Sequence, residues 1–249
     1  MAATGARLAG IAAAAGQAVM GHYGRGEGAE FKPDHSPVTA ADREAEALIL
    51  AALEREFPGV PVVAEEAQAA GADVKVGLRF FLVDPLDGTR EFLKGNGEFT
   101  VNIALVENGV PVAGAVFAPA RGRMFFADET GAFEQSGGAA RRIQTRRVPA
   151  SGPVALCSRS HDDAQTQAYL KKLGVQEITT LGSSLKFCLL AAGEADLYAR
   201  AGRTMEWDIA AGHAILSAAG GVLTDWDGGA FLYGKPGFAN GGFIARGRV

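Results

Sequence analysis

From Phe80 to Gln135 the chain is written as strand after strand. FFLVD (80–84) is followed by TVNIALV and PVAGAVFA on either side of Asn108-Gly109, then by RMFFAD and AFEQ on either side of Glu129-Thr130-Gly131. Asn-Gly between two β-rich runs signals a hairpin, because both turn residues must take positive φ. Consecutive strands joined by such tight turns form an antiparallel sheet, since a parallel pair needs a crossover long enough for a helix. A Rossmann-type alternation is therefore excluded for this stretch.

The flanking segments are helical or alternating. LAGIAAAAGQAVM (8–20) is too short and too small in its side chains to cross a bilayer. Its continuation through Gly16, Gln17 and His22 at helical spacing reads as an amphipathic helix rather than a leader. In PVTAADREAEALILAALEREFPGV, Thr39 and Asp42 have capping-box spacing. Ala41, Ala45, Leu48, Ile49, Ala52 and Leu53 mark a buried face, and Pro58-Gly59 stops the helix. VPVVAEEA then runs as a strand into Glu65 and Glu66. A basic, Gly-rich stretch from Gly137 to Pro149 has no hydrophobic period and reads as a connection. Past it, strand and helix alternate: PVALCS, DDAQTQAYLKKLG, EITTLG, SLKFCLLAAGEA and DLYAR, then a last helix opening near Trp207-Asp208. We expect an α/β (α+β) fold of two subdomains divided at 145/146, the first carrying most of the acidic candidates and the second Asp208 and the specificity residues.

The balance of 24 Lys and Arg against 28 Asp and Glu gives no broad basic face, which excludes a nucleic-acid polymer as the expected partner. The two cysteines, Cys157 and Cys188, lie in apolar segments and are expected as reduced, buried thiols of a cytoplasmic protein. Peripheral association with an inner membrane stays open.

The chemistry concentrates in VDPLDGTREF (83–92). A strand delivers Asp84, Pro85 and Gly88 force a turn, and Asp87 follows three residues on. Two carboxylates and the Leu86 carbonyl converging in one turn suit Mg²⁺, a hard cation that takes oxygen ligands. Gly88 and Thr89 offer backbone N–H groups, and a helix beginning there would favour a phosphate. The same residues also make an ordinary surface turn, and the segment alone does not choose. Likewise Glu65-Glu66 could be a solvated face, and Asp42 and Asp208 helix caps. Four acidic sites ending separate elements are nevertheless what a multi-metal phosphatase needs to neutralise phosphate and activate water.

Taken together, PVTAADREAE, VVAEEA, VDPLDGTREF and EWDIAAGHAIL with AGGVLTD resemble the inositol monophosphatase superfamily of lithium-sensitive, Mg²⁺-dependent phosphatases, in the family's order from about residue 36 to residue 228. TREFLKGNGEFTVNIAL, SRSHDDAQT and GSSLKFCLLAAGEADLYAR resemble its bacterial 3′(2′),5′-bisphosphate nucleotidase branch. The resemblance implies a layered αβαβα sandwich of the sugar-phosphatase type. It implies one Mg²⁺ on Glu65, Asp84 and the Leu86 carbonyl, and a second on Asp84, Asp87 and Asp208. Asp42 and Thr89 match the water-activating pair, Gly88 and Thr89 the amides holding the scissile phosphate. Glu66 matches a second glutamate, either behind the metal ligands or on a third Mg²⁺. Arg90 stands where many relatives have lysine.

The implied reaction is removal of the 3′-phosphate of adenosine 3′,5′-bisphosphate to give AMP, with the 5′-phosphosulfate analogue as a further substrate. An inositol, histidinol or sugar phosphatase, or a non-catalytic phosphate-binding regulator, are the alternatives. By the resemblance, His161, Ser183, Lys186 and Arg200 contact the nucleotide, Lys186 as a cation for the second phosphate, and Glu65, Leu86, Asp87 and Asp208 also border the substrate. Relatives occur as monomers and as homodimers.

Overall fold

The computed structural model describes residues 3–25, 28–32, 37–159 and 163–248. The chain opens with α1 (Thr4–His22), a short antiparallel pair β1 (Glu30–Phe31) and β2 (Pro37–Val38), and α2 (Ala40–Glu56). A seven-stranded sheet follows in chain order: β3 (Val62–Ala64), β4 (Arg79–Asp87), β5 (Thr100–Glu107), β6 (Val110–Ala118), β7 (Arg123–Asp128), β8 (Gly131–Gln135) and β9 (Arg141–Arg142). All neighbours are antiparallel except β3, which joins β4 in parallel. Two five-residue helices, α3 (Glu65–Ala69) and α4 (Thr89–Leu93), follow β3 and β4. The Asn108-Gly109 and Glu129-Thr130 hairpins stand where the turn chemistry puts them.

The second half alternates as its sequence does: β10 (Val154–Ser158), α5 (Ala164–Lys172), β11 (Glu177–Leu181), α6 (Leu185–Ala191) and β12 (Leu197–Arg200). It continues through β13 (Thr204–Met205), α7 (Glu206–Ala218), β14 (Val222–Asp225), β15 (Ala239–Asn240) and β16 (Phe243–Arg246). A five-stranded sheet forms in the order β11-β10-β12-β16-β14, parallel from β11 to β12 and antiparallel at β16.

Three apolar clusters fill the four spaces between five layers, one of them on both sides of α6 and α7. Leu8, Ala12, Ile49 and Leu53 of α1 and α2 bury against Phe81, Val83, Ile103 and Ala115 on one face of the large sheet. The opposite face (Phe80, Leu82, Ala104, Val116) packs on α6 and α7, whose far sides meet Tyr198, Leu223 and Phe243 of the small sheet. α5 then covers the outer face through Leu170 against Ala155, Cys157 and Ile244. This is the expected αβαβα sandwich. Its central interior is built from both halves of the chain: at Gly114 a Cβ would meet the Ala211 carbonyl oxygen at 2.9 Å, so only glycine lets α7 lie that close to β6.

Some details differ from the sequence reading. Leu48 is 44% exposed, whereas Glu46 is buried on the apolar side of α2, for reasons given below. The stretch 137–149 is more than a connection: β9 adds a strand to the large sheet, Ile143 is buried, Arg141 pairs with Glu134, and Arg146 forms a bidentate pair with Asp196. Cys157 and Cys188 are buried and, among the described residues, form no disulfide, and burial pushes the Cys188 thiol well up. Among the described residues no helix is long and apolar enough to cross a membrane.

Candidate active site

β4 does not stop at Asp84 but runs on to Asp87, and its register shifts on the way: Asp84 pairs with Asn102 and Asp87 with Thr100. Three steps on one strand thus face two on the other, which is a β-bulge. The extra residue changes the parity of the strand. Asp84 and Asp87, three apart, would point to opposite faces of a regular strand; opposite Thr100 and Asn102 they share one. Pro85 is tolerated because a bulge frees the ladder of one N–H.

That shared face opens on a cavity of about 400 Å³ lined by Glu65, Asp84, Leu86, Asp87, Gly88, Thr89 and Asp208 and also by Ser183, Lys186, Arg200 and Arg203. Residues from the end of β3, the bulge of β4, the start of α7 and the turn before α6 therefore meet at one place. Of the residues singled out in the sequence, Asp42 and Glu66 stand behind this wall, and His161 lies outside the described residues.

Asp42 is 1% exposed. Its Oδ2 accepts the N–H (2.7 Å) and hydroxyl (2.6 Å) of Thr39, closing the capping motif of α2, and its Oδ1 accepts the Thr89 hydroxyl at 3.2 Å. The same hydroxyl lies 3.2 Å from the Leu86 carbonyl. Cap and site residue are thus one carboxylate. Burial pushes Asp42 up, against the Thr39 hydrogen bonds.

The acidic groups repel one another. Asp84 is pushed well above the ordinary carboxylate range by burial and then by Glu65, Asp87 and Asp208. Burial and Asp87 push Asp208 up to about 8, although its Oδ2 accepts the Met205 N–H at 2.8 Å. Asp87 is raised by burial and restrained by Lys186, while its Oδ2 accepts the Ser184 N–H at 2.5 Å. Buried, mutually repelling carboxylates with the Leu86 carbonyl beside them make a hard-oxygen donor set whose charge a divalent cation would relieve. The residues fit Mg²⁺ by chemistry. Among the described residues, however, no three acidic, His or Cys groups are gathered closely enough to enclose an ion. The Lys32 ammonium instead bridges Glu65 (2.6 Å) and Glu66 (2.7 Å).

Several site residues escaped the sequence reading. Glu46 accepts the N–H groups of Glu66 (2.8 Å) and Ala67 (3.0 Å), so it caps α3 and aims the two glutamates. It lies one turn beyond Asp42 on the buried face of α2; an acidic residue in that stripe was the available signal. Asn102, a buried polar residue inside the apolar run of β5, accepts the Ser184 hydroxyl at 2.7 Å. Lys186, named from the sequence as a nucleotide contact, is tied to the backbone of the turn before α6. It is 2% exposed, donates to the carbonyls of Leu181 (3.0 Å) and Ser183 (2.6 Å), and lies 4.9 Å from the Tyr198 ring centre. Burial lowers it to about 8, despite Asp87. Arg200 and Arg203 also line the cavity; among the described residues the buried Arg200 Nε finds no hydrogen-bond partner, and its Nη2 donates to the Arg203 carbonyl at 3.1 Å.

Comparison with known proteins follows the same lines. Residues 5–246 match the inositol monophosphatase family. The 3′(2′),5′-bisphosphate nucleotidase CysQ of Salmonella typhimurium is 47% identical over 94% of this chain and 95% of its own, and that of Escherichia coli K12 is 45% identical over the same shares. Among solved structures, CysQ from Bacteroides thetaiotaomicron superposes with a TM-score of 0.81 at 37% identity, covering 98% of this chain and 97% of that one. An IMPase from Thermotoga maritima does so at 0.78 and 30% identity, covering 96% and 89%.

Proposed function

The chain belongs to the inositol monophosphatase family, and from that premise we propose that it is a metal-dependent phosphatase removing the 3′-phosphate of adenosine 3′,5′-bisphosphate, with AMP and inorganic phosphate as products. The nucleotidase activity is that of its relatives at 45–47% identity. One observation carries the choice of substrate: one cavity is lined both by the acidic residues with Thr89 and by the cations Arg200 and Arg203. A monophosphate needs only the first. A bisphosphate needs cations for its second phosphate as well. The phosphosulfate analogue offers the same two anionic ends and is the second substrate of this reading.

Glu65, Asp84 and the Leu86 carbonyl would hold one Mg²⁺ and Asp84, Asp87 and Asp208 a second, with Glu66 available to a third. Bound there, the ions supply charge neutralisation and an acidified water. The protein's own part is orientation. Thr89 donates its hydroxyl proton to Asp42 Oδ1, so the oxygen keeps its lone pairs for a proton of the attacking water. The N–H groups of Gly88 and Thr89, at the start of α4 where helical amides lack internal acceptors, hold the scissile phosphate. Ser184 fixes one oxygen of Asp87 and leaves the other to the cavity. Arg200 and Arg203 take the 5′-phosphate. The reading places the enzyme in the cytoplasm, where such nucleotides arise.

Phosphate release measured across adenosine 3′,5′-bisphosphate, inositol 1-phosphate, histidinol phosphate and fructose 1,6-bisphosphate tests the assignment. Preference for the nucleotide is expected; equal or better turnover of a monophosphate would overturn it.

A further inference from the structure

We propose that Glu98, which lies outside the cavity wall, is a positioning residue for Asp87, acting through the 182–184 turn. The inference rests on the phosphatase reading for its functional consequence, but the linkage itself is geometric. Glu98 is 6% exposed and sits between α4 and β5, two residues before the first residue of that central strand of the large sheet. Its Oε2 accepts the Gly182 N–H at 2.9 Å and the Arg159 Nε at 2.7 Å, and its Oε1 accepts the Arg159 Nη2 at 2.8 Å. One carboxylate thereby ties the first sheet to the ends of β10 and β11 in the second.

The turn it holds is made for close approach. A Cβ at Gly182 would meet the Glu98 carbonyl oxygen at 2.7 Å and Glu91 Cγ at 2.8 Å, so the backbone lies directly on this segment. On the other flank, a Cβ at Gly88 would meet the same Glu98 carbonyl at 3.0 Å. Glu98 therefore stands between the metal turn and the 182–184 turn and touches both. Ser183 follows in the left-handed region at φ 55°, a conformation unfavourable for a non-glycine residue that persists only where its surroundings impose it. Lys186 imposes it from inside by taking the Leu181 and Ser183 carbonyls; Glu98 does so from outside through Gly182. The product of this strain is the next residue: Ser184 presents its N–H to Asp87 Oδ2 at 2.5 Å while its hydroxyl is locked to Asn102 and Thr100.

Burial alone would push the Glu98 carboxyl up. Arg159 and the Gly182 amide outweigh it and hold the group below the usual carboxylate range. The contribution of Arg159 differs in kind, because its side chain is 41% exposed and such pairs are worth little. The Gly182 hydrogen bond is the linkage that matters.

Three variants separate these roles. Glu98→Leu removes the acceptor; Glu98→Asp keeps the charge for the half-exposed Arg159 but withdraws it from the fixed Gly182 amide; Arg159→Met keeps the Gly182 bond and removes the closer ion pair, leaving Arg121 at 3.5 Å. Hydrogen exchange of the 182–184 amides in the metal-free protein is read beside the Mg²⁺ concentration for half-activation and the melting temperature. For Glu98→Leu, exchange about tenfold faster and a half-activating Mg²⁺ concentration raised about tenfold are expected, the weight of one hydrogen bond to a charged group. Glu98→Asp should shift both in the same direction by at least about threefold, and it decides the matter if Glu98→Leu does not fold. Arg159→Met should stay within about twofold of the parent. Lowered melting with unchanged exchange and Mg²⁺ response in the Glu98 variants would overturn the proposal, as would an equal effect in Arg159→Met. Should the parent enzyme release no phosphate, the phosphatase reading fails, and the exchange measurement still tests the linkage.

Discussion

Thr89→Ala isolates the step most specific to the chemistry. The hydroxyl makes one hydrogen bond to a buried carboxylate, Asp42 Oδ1, and has the Leu86 carbonyl as a second acceptor at the same 3.2 Å. A single proton shared between two acceptors at that length contributes modestly to folding, about 1 kcal/mol, so the variant should fold and keep its cavity. Its effect on the reaction is larger. A hydrogen bond to a charged group is worth about 1.5–3 kcal/mol, which is about 10- to 150-fold in rate if realised only in the transition state. We expect kcat to fall within that range with KM nearly unchanged, measured as phosphate release under saturating Mg²⁺. Thr89→Ser, which keeps the hydroxyl, should recover most of the rate. Asp42→Asn should cost a similar factor, and the double variant little more than either, because the two residues act as one unit. A raised KM at normal kcat would reassign Thr89 to binding phosphate. Full additivity of the two substitutions would refute the pairing of Thr89 with Asp42.

Asp84→Asn removes the carboxylate at the centre of the acidic wall and should lower the rate at least about 100-fold, and excess EDTA should abolish turnover by the parent; undiminished release in EDTA would sink the metal mechanism. Arg200→Met should weaken kcat/KM for adenosine 3′,5′-bisphosphate by about tenfold or more and spare inositol 1-phosphate, whereas Lys186→Met should harm both, because its ammonium already serves two carbonyls; the reverse pattern would exchange their roles. His213 is buried beside Tyr233 and burial lowers it to about 4 from the ordinary 6.5. The unfolded chain binds that proton first, so this contribution is whole above pH 6.5 and is lost as pH falls towards 4, amounting to about 3 kcal/mol. Urea unfolding across that window should show the decline, and His213→Leu should flatten it; an identical slope in the variant would contradict the assignment.

Much of this architecture is legible in the sequence because it is local. Asn108-Gly109, Pro58-Gly59 and the β/α alternation after Pro149 each declare themselves within a few residues, and two sheets with helices on their faces have few ways to stack. The metal turn is legible as a set of residues but not as a shape. Reading a strand that ends at Asp84 misses the bulge, because the extra residue is defined only against Thr100 and Asn102 on the neighbouring strand. The burial of Glu46 and the engagement of Lys186 are likewise invisible. Each is a polar group in an apolar stripe, and its partners are backbone groups distant or hidden in the turn before it. Exposed Leu48 is the complement, since Glu46 holds the place facing α3. Glu98 could not be read at all, its partners lying 61 and 84 residues along the chain.

The most direct measurement is identification of the products from adenosine 3′,5′-bisphosphate with Mg²⁺ by chromatography alongside phosphate assay. Equal amounts of 5′-AMP and inorganic phosphate, with inositol 1-phosphate turned over far more slowly, are the predicted result. Intact bisphosphate, or adenosine 3′-phosphate as product, under conditions where inositol 1-phosphate is consumed, would contradict the assignment.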